Sequence, residues 1–242
     1  MKSYYCPFRG ERTPLNPCVS AWWAQKSGHS RGVHPPAVPN QNGGNSLFKS
    51  LKRSAKGANV PHAKATAGLA TVKMPTPEHV IIPMSMHIGA PAESVVKKGD
   101  TVMVGTLIGK AGGFVSASIY SSVSGTVQDV APMRMVNGSM TTAVAIKTDG
   151  EQTIDPACVP PTVTDKPSLM AAVQNCGLVG VGGAGFPAHV KLAANTIDTL
   201  LINAAECEPY LTTDCREMLE CSDTIISGIE AVMKYCEIPH CI

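Results

Sequence analysis

The sequence predicts an α+β chain of more than one domain: a small all-β module over residues 76–150, then the first part of an α/β domain over 160–242. Three observations lead there. Turn residues recur about every ten positions through the first stretch and separate short apolar runs, as in a sandwich or barrel. At Pro167 the pattern changes to helical spacing. Helices, a glycine loop and one buried-type strand then follow each other, which is α/β organisation. The composition agrees. Aromatic residues make up 5%, while Gly and Pro number 22 and 19, a mix suited to short strands and tight turns.

The strands are read in order. Val80–Met84 is a short apolar run. Lys97–Asp100 is a turn, with Gly99 free to take positive φ. Thr101–Ile108 reads as the next strand, Phe114–Ile119 as another, and Val123–Val127 as one with a central glycine. Thr142–Lys147 closes the set. In the second domain, Pro167–Cys176 has Leu169, Val173 and Cys176 at helical spacing. Pro187–Asn195 fits a helix with proline in its first turn. Thr199–Asn203 is a buried-type strand, and Thr212–Glu220 and Ser222–Cys236 read as helices. One strand is too few for a parallel sheet, so this domain is expected to be incomplete.

The amino-terminal part differs in kind. Residues 1–46 show Pro-Pro, Gly-Gly and no apolar periodicity, and are expected to be a disordered tail or sequence upstream of the true start. Residues 47–75 read as an extended arm. Residues 1–66 hold ten of the 20 Lys/Arg but only one of the 18 acidic residues, Glu11. The folded part is therefore acidic, and no aromatic-rich basic surface follows the arm. Both points set nucleic-acid binding aside. No apolar run approaches the ~20 residues that span a bilayer, so any membrane association is expected to be peripheral. Nine cysteines without a C-x-x-C read as reduced thiols of a cytosolic protein.

Two constellations carry the chemistry. Five glycines fall within Gly177–Gly185, and Gly180, Gly182 and Gly185 match G-x-G-x-x-G. An ordinary dinucleotide-fold reading fails on context, because a helix and not a strand precedes the motif. The loop physics still suits a phosphate or a flat ring: glycines let backbone approach a ligand, and their N–H groups lead into a helix start. Lys191, one turn into that helix, would neutralise a phosphate. The second constellation, Asn203-Ala204-Ala205-Glu206-Cys207-Glu208-Pro209-Tyr210, lies at the carboxyl end of the Thr199–Asn203 strand. Carboxylates there can accept from a ring N–H or a hydroxyl. The plainer alternatives are a packing turn and a solvated acidic turn.

Together these segments resemble a known family. Gly180–Lys191 (GVGGAGFPAHVK) followed by Asn203–Tyr210 (NAAECEPY) resembles the C subunit of Rnf ferredoxin:NAD⁺ oxidoreductases, and a related pattern marks the NADH-binding flavoprotein subunit of respiratory complex I. Met84–Ala92, Gly112–Ala117 and Ser121–Val127 resemble the barrel-sandwich hybrid domain that opens the same subunits. A lipoyl-carrier reading of that module fails, because Gly112–Ser122 contains no lysine. Gly57–His62 is similar to the family's amino-terminal segment, which favours a natural start near residue 47.

The resemblance implies a barrel-sandwich hybrid followed by an incomplete α/β flavin/NADH-binding domain. It implies FMN, with NAD(H) stacking on it, and Gly180, Gly182, Gly183, Gly185, Lys191, Asn203, Glu206 and Glu208 as flavin-site positions. Family members also hold [4Fe–4S] clusters on C-x-x-C-x-x-C-x-x-x-C-P runs, and this chain has none. It is therefore expected to be an amino-terminal fragment, inactive alone. The implied setting is a membrane complex, with this subunit peripheral on its cytoplasmic face and ferredoxin an indirect partner. Electrons would pass between ferredoxin and NAD⁺, coupled to ion translocation. The alternatives are a cobalamin reductase-type flavoprotein, in which the modules come in another order, and a docking fragment without cofactor.

Overall fold

A computed structural model describes residues 61–181 and 183–242. The expectations for residues 1–46, for 47–60 and for Gly182 lie outside the described residues. Seven strands build the first unit. They are β1 (His79–Pro83), β2 (Glu93–Ser94), β3 (Thr101–Val102), β4 (Leu107–Lys110), β5 (Ile119–Tyr120), β6 (Gly125–Arg134) and β7 (Met140–Thr148). One antiparallel sheet runs β1-β7-β6-β3 and the other β2-β4-β5. Both contribute to one core, formed by Ile82, Met84, Ala92, Val102, Ile108, Ile119, Val123, Val127, Val144 and Ile146. Each Val, Ile or Met side chain among them, taken fully from water, contributes about 1.5–3 kcal/mol.

Three strand expectations need correction. Thr101–Ile108 is not one strand. Gly105 takes φ +87°, and the N–H of Thr106 donates to Met103 O at 3.0 Å. The chain turns there, so β3 pairs with β6 and β4 with β2 and β5. Phe114–Ile119 shrinks to Ile119–Tyr120, because the preceding backbone bonds elsewhere: Val115 O accepts from Ala90 N–H, and Ala117 N–H donates to His87 Nε2 at 3.2 Å. The Val123–Val127 strand instead starts at Gly125 and runs to Arg134, held along its length by β7. Gly125 is required there, since a Cβ would stand 2.1 Å from Lys147 O.

The second unit holds α1 (Lys166–Asn175), α2 (Ala188–Leu192), β8 (Thr199–Leu200), α3 (Thr213–Glu220), α4 (Ser222–Tyr235) and β9 (His240–Cys241). A capping box starts α1. Asp165 Oδ1 accepts the Ser168 N–H at 2.9 Å, and Asp165 N–H donates to Ser168 Oγ at 3.0 Å. Leu169, Ala172 and Val173 form its buried stripe, and with Val163 they make a second core. Leu178, Ala188, Leu192 and Tyr235 pack against that core. Cys236 joins them, and burial pushes its thiol pKa up. The helix expected over Pro187–Asn195 covers only Ala188–Leu192. The expected buried strand Thr199–Asn203 is two residues long and half-buried, and Leu201 is exposed. Its partner β9, parallel to it, was not foreseen.

Candidate functional site

The glycine loop joins α1 to α2 and closes on itself. Gly180 N–H donates to Phe186 O at 2.9 Å, and Ala188 N–H to Leu178 O at 2.9 Å. The N–H groups of Gly185 and Gly183 both point at Gly180 O, at 3.2 and 3.4 Å. The amides of Gly180, Gly183 and Gly185 are thus spent inside the loop. This corrects the expectation that they serve as ligand donors. Gly183 nevertheless faces open space, since a Cβ there would meet nothing within 4 Å.

Two glycines of the loop lie against the β module. Gly185 has φ +71°, and a Cβ on it would stand 2.7 Å from Met86 O and 2.9 Å from His87 Cα. Its carbonyl accepts from Ile88 N–H at 3.3 Å. Gly177, at φ +70°, would place a Cβ 2.3 Å from Ser118 O. Backbone–backbone approach accounts for both glycines without a ligand. His189 completes this contact. It is 3% exposed. Its Nε2 lies 2.7 Å from Phe114 O, which only accepts, so Nε2 carries the proton. The ring meets Phe114 edge-on, with centroids 5.7 Å apart. Among the described residues, His189 Nδ1 is buried without a partner. Lys191, by contrast, is exposed, with Nζ 5.9 Å from the centre of the Phe186 ring.

The acidic turn is organised locally. Asn203 Oδ1 accepts from Ala205 N–H at 3.0 Å, a side-chain turn of the kind asparagine favours. Half-buried Glu206 accepts the Asp214 N–H at 3.0 Å through Oε1. That places a negative charge at the amino end of α3 and satisfies one of its unpaired donors. Glu208 is exposed, and the Cys207 thiol lies 3.4 Å from its Oε2. Lys64 Nζ donates to the carbonyls of Glu206, Glu208 and Leu211, at 3.4, 2.8 and 2.6 Å. Asn203, Glu206 and Glu208 therefore share one turn. Among the described residues, no hydrogen bond joins that turn to the glycine loop or to Lys191.

The residues fit a flavin phosphate and ring in part. The open face at Gly183 allows close approach, and the Lys191 ammonium supplies positive charge beside the Phe186 ring. The carboxylates of Glu206 and Glu208 each have capacity for a further hydrogen bond. Among the described residues, no group of three or more His, Cys, Asp and Glu side chains is arranged to hold a metal ion. Sequence reading missed Lys64, because nothing in its neighbours marks a lysine that will reach residues 142 or more positions away. It set His189 aside as a ligand, and nothing in the sequence showed that it would bind the Phe114 carbonyl.

Fold and site together define a class: a barrel-sandwich hybrid module leading into a domain of the complex I flavoprotein type. Residues 52–151 match the RnfC barrel sandwich hybrid domain, and residues 173–242 match the Nuo51 FMN-binding domain. The chain thus carries an RnfC barrel sandwich hybrid domain followed by a Nuo51 FMN-binding domain. It is 44% identical over 164 residues to the C subunit of the Na⁺-translocating ferredoxin:NAD⁺ oxidoreductase complex of Acetobacterium woodii, covering 65% of this chain and 37% of that one. It is 41% identical over 178 residues to the C subunit of the proton-translocating ferredoxin:NAD⁺ oxidoreductase complex of Clostridium ljungdahlii, covering 71% and 39%. It is 40% identical over 195 residues to the C subunit of the ion-translocating oxidoreductase complex of Rhodobacter capsulatus, covering 76% and 37%. The chain thus spans less than two-fifths of the length of these relatives.

Proposed function

We propose that this chain supplies the β module and the first part of an FMN and NAD(H) site to the C subunit of an ion-translocating ferredoxin:NAD⁺ oxidoreductase. The observation that carries the reading is the order of the two domain matches, β module first and FMN-binding domain second. Among the described residues, no helix is long and apolar enough to cross a membrane; attachment at the cytoplasmic face through partner subunits is part of the same proposal. Domain limits of 76–150 and 160–242, with an arm before them, belong to the same reading. A bound flavin supplies the electron chemistry. The chain's own residues bind and orient it. The face over Gly180 and Gly183 receives it, Lys191 neutralises its phosphate, and Asn203, Glu206 and Glu208 offer acceptors to its hydroxyls and ring N–H. Gly185 sets the loop against the β module.

Titration of FMN, followed by quenching of flavin fluorescence, tests this. Saturable binding is expected, weakened about tenfold by Lys191→Ala through loss of a charge-assisted contact. No binding at high-micromolar FMN sinks the flavin reading for this chain. The loop's internal closure favours a second reading, in which its glycines only pack the modules together. That reading expects Lys191→Ala to change nothing.

A further inference from the structure

The arm ahead of β1 touches the second unit at several points, and one is unlike the rest. Thr66 Oγ1 meets Thr212 Oγ1 at 2.7 Å, and Arg216 Nη1 donates to Ala67 O at 3.4 Å. Thr71 donates to Glu220 Oε1 from both its N–H and its hydroxyl, at 3.0 and 3.3 Å. Those contacts hold the arm along α3. Lys64 does something different. Its ammonium gathers three carbonyl oxygens, from Glu206, Glu208 and Leu211. Three peptide dipoles with their negative ends converging repel each other unless a cation sits between them. The same turn carries the Glu206 and Glu208 carboxylates, which add to that repulsion. An ammonium offers three donors and one positive charge, which matches the three oxygens in number and sign.

We propose that Lys64 is a positioning residue for the acidic turn: by drawing three of its carbonyls to one point, it sets where Asn203, Glu206 and Glu208 stand towards the flavin. The arm thereby becomes part of the cofactor site, although it lies 142 or more residues away in sequence. The flavin half of this statement rests on the function proposed above, and the ordering of the turn does not.

The test uses the 242-residue chain with Lys64→Met, Lys64→Arg and, as a control for loss of charge from the arm, Lys73→Met. Hydrogen–deuterium exchange reads the turn, and FMN titration reads the site. Lys64→Met is expected to speed amide exchange over residues 203–214 by about tenfold or more and to weaken FMN binding about tenfold. Lys64→Arg, which keeps the charge, is expected to recover part of both, and Lys73→Met to alter neither. Unchanged exchange over 203–214 overturns the proposal whatever the flavin does. Faster exchange with unchanged FMN affinity also overturns it, by leaving Lys64 a purely structural contact. Should the unsubstituted chain take no FMN, the proposed function fails on that result, and the exchange data still decide whether Lys64 orders the turn. Should Lys64→Met not fold, the same two readouts on Lys64→Gln, which has donors but no charge, decide: exchange and affinity both shifted support the proposal, and either one unchanged overturns it.

Discussion

Gly183 and Gly185 sit two positions apart in one loop and are expected to answer alanine differently. At Gly185 the backbone is left-handed and a methyl group would run into the carbonyl of Met86. Strain of about 1 kcal/mol combines there with an overlap that costs ~1–3 kcal/mol. Gly185→Ala should therefore lower stability in urea denaturation by roughly 2–4 kcal/mol. Gly183→Ala meets open space, so its stability should shift by less than ~0.5 kcal/mol. If flavin lies over that face, the same alanine should weaken FMN binding while leaving the fold intact. Equal loss of stability at both positions would refute the division. The density of glycine was legible in the sequence. Which glycine packs and which faces outward was not, because the answer depends on Met86, His87 and Ser118, about 60–100 residues earlier in the chain.

For single elements, the start of α1 shows how a local rule becomes a testable pH effect. Its first turn is held by the Asp165 carboxylate, whose pKa lies below the ordinary 3.8, first because the Ser168 hydroxyl donates to it and then because the Ser168 N–H does. A carboxylate with a depressed folded pKa stabilises above its unfolded value, and that stability is lost as pH falls through the folded value. The loss therefore lies below pH 3.8. Asp165→Asn keeps a cap but cannot titrate. Its Tm should sit below that of the unsubstituted chain near neutral pH, and the gap should narrow as the pH drops below 3.8. A gap that is constant with pH would remove the carboxylate from the account. Helices of this kind were legible because cap, proline and apolar stripe are all local. Strands were less so. Thr101–Ile108 alternates well enough to read as one strand, yet Gly105 turns the chain and sends its halves to different sheets. Nothing local marks β9 either, since its two residues are exposed and its pairing partner is some 40 residues away.

Across the whole molecule, the β module is joined to α1, the glycine loop and α2 by hydrogen bonds that all end on backbone carbonyls. Gly185 O takes the Ile88 N–H, His189 donates to Phe114 O, and the Tyr120 hydroxyl donates to Asn175 O at the end of α1. Gln174 Nε2 adds a bond of 3.3 Å to Gly113 O. A contact that buries a histidine and fits two glycines against backbone tolerates little separation, because opening it exposes polar groups that are paired only when it is closed. The two units should therefore unfold together. Ile146 tests this from a distance. It lies in β7 at 0% exposure, in the core of the β module and away from the loop. Ile146→Ala should cost ~2–5 kcal/mol through lost burial and the cavity left behind. If the molecule is one cooperative unit, native-state hydrogen exchange should show the slowest amides of α1 losing the same free energy as those of β6 and β7. Protection in α1 that survives the substitution would mean that the second unit keeps its structure after the first has opened. Coupling of this kind would make flavin affinity fall with any large loss of β-module stability, so binding and unfolding should be measured on the same variant.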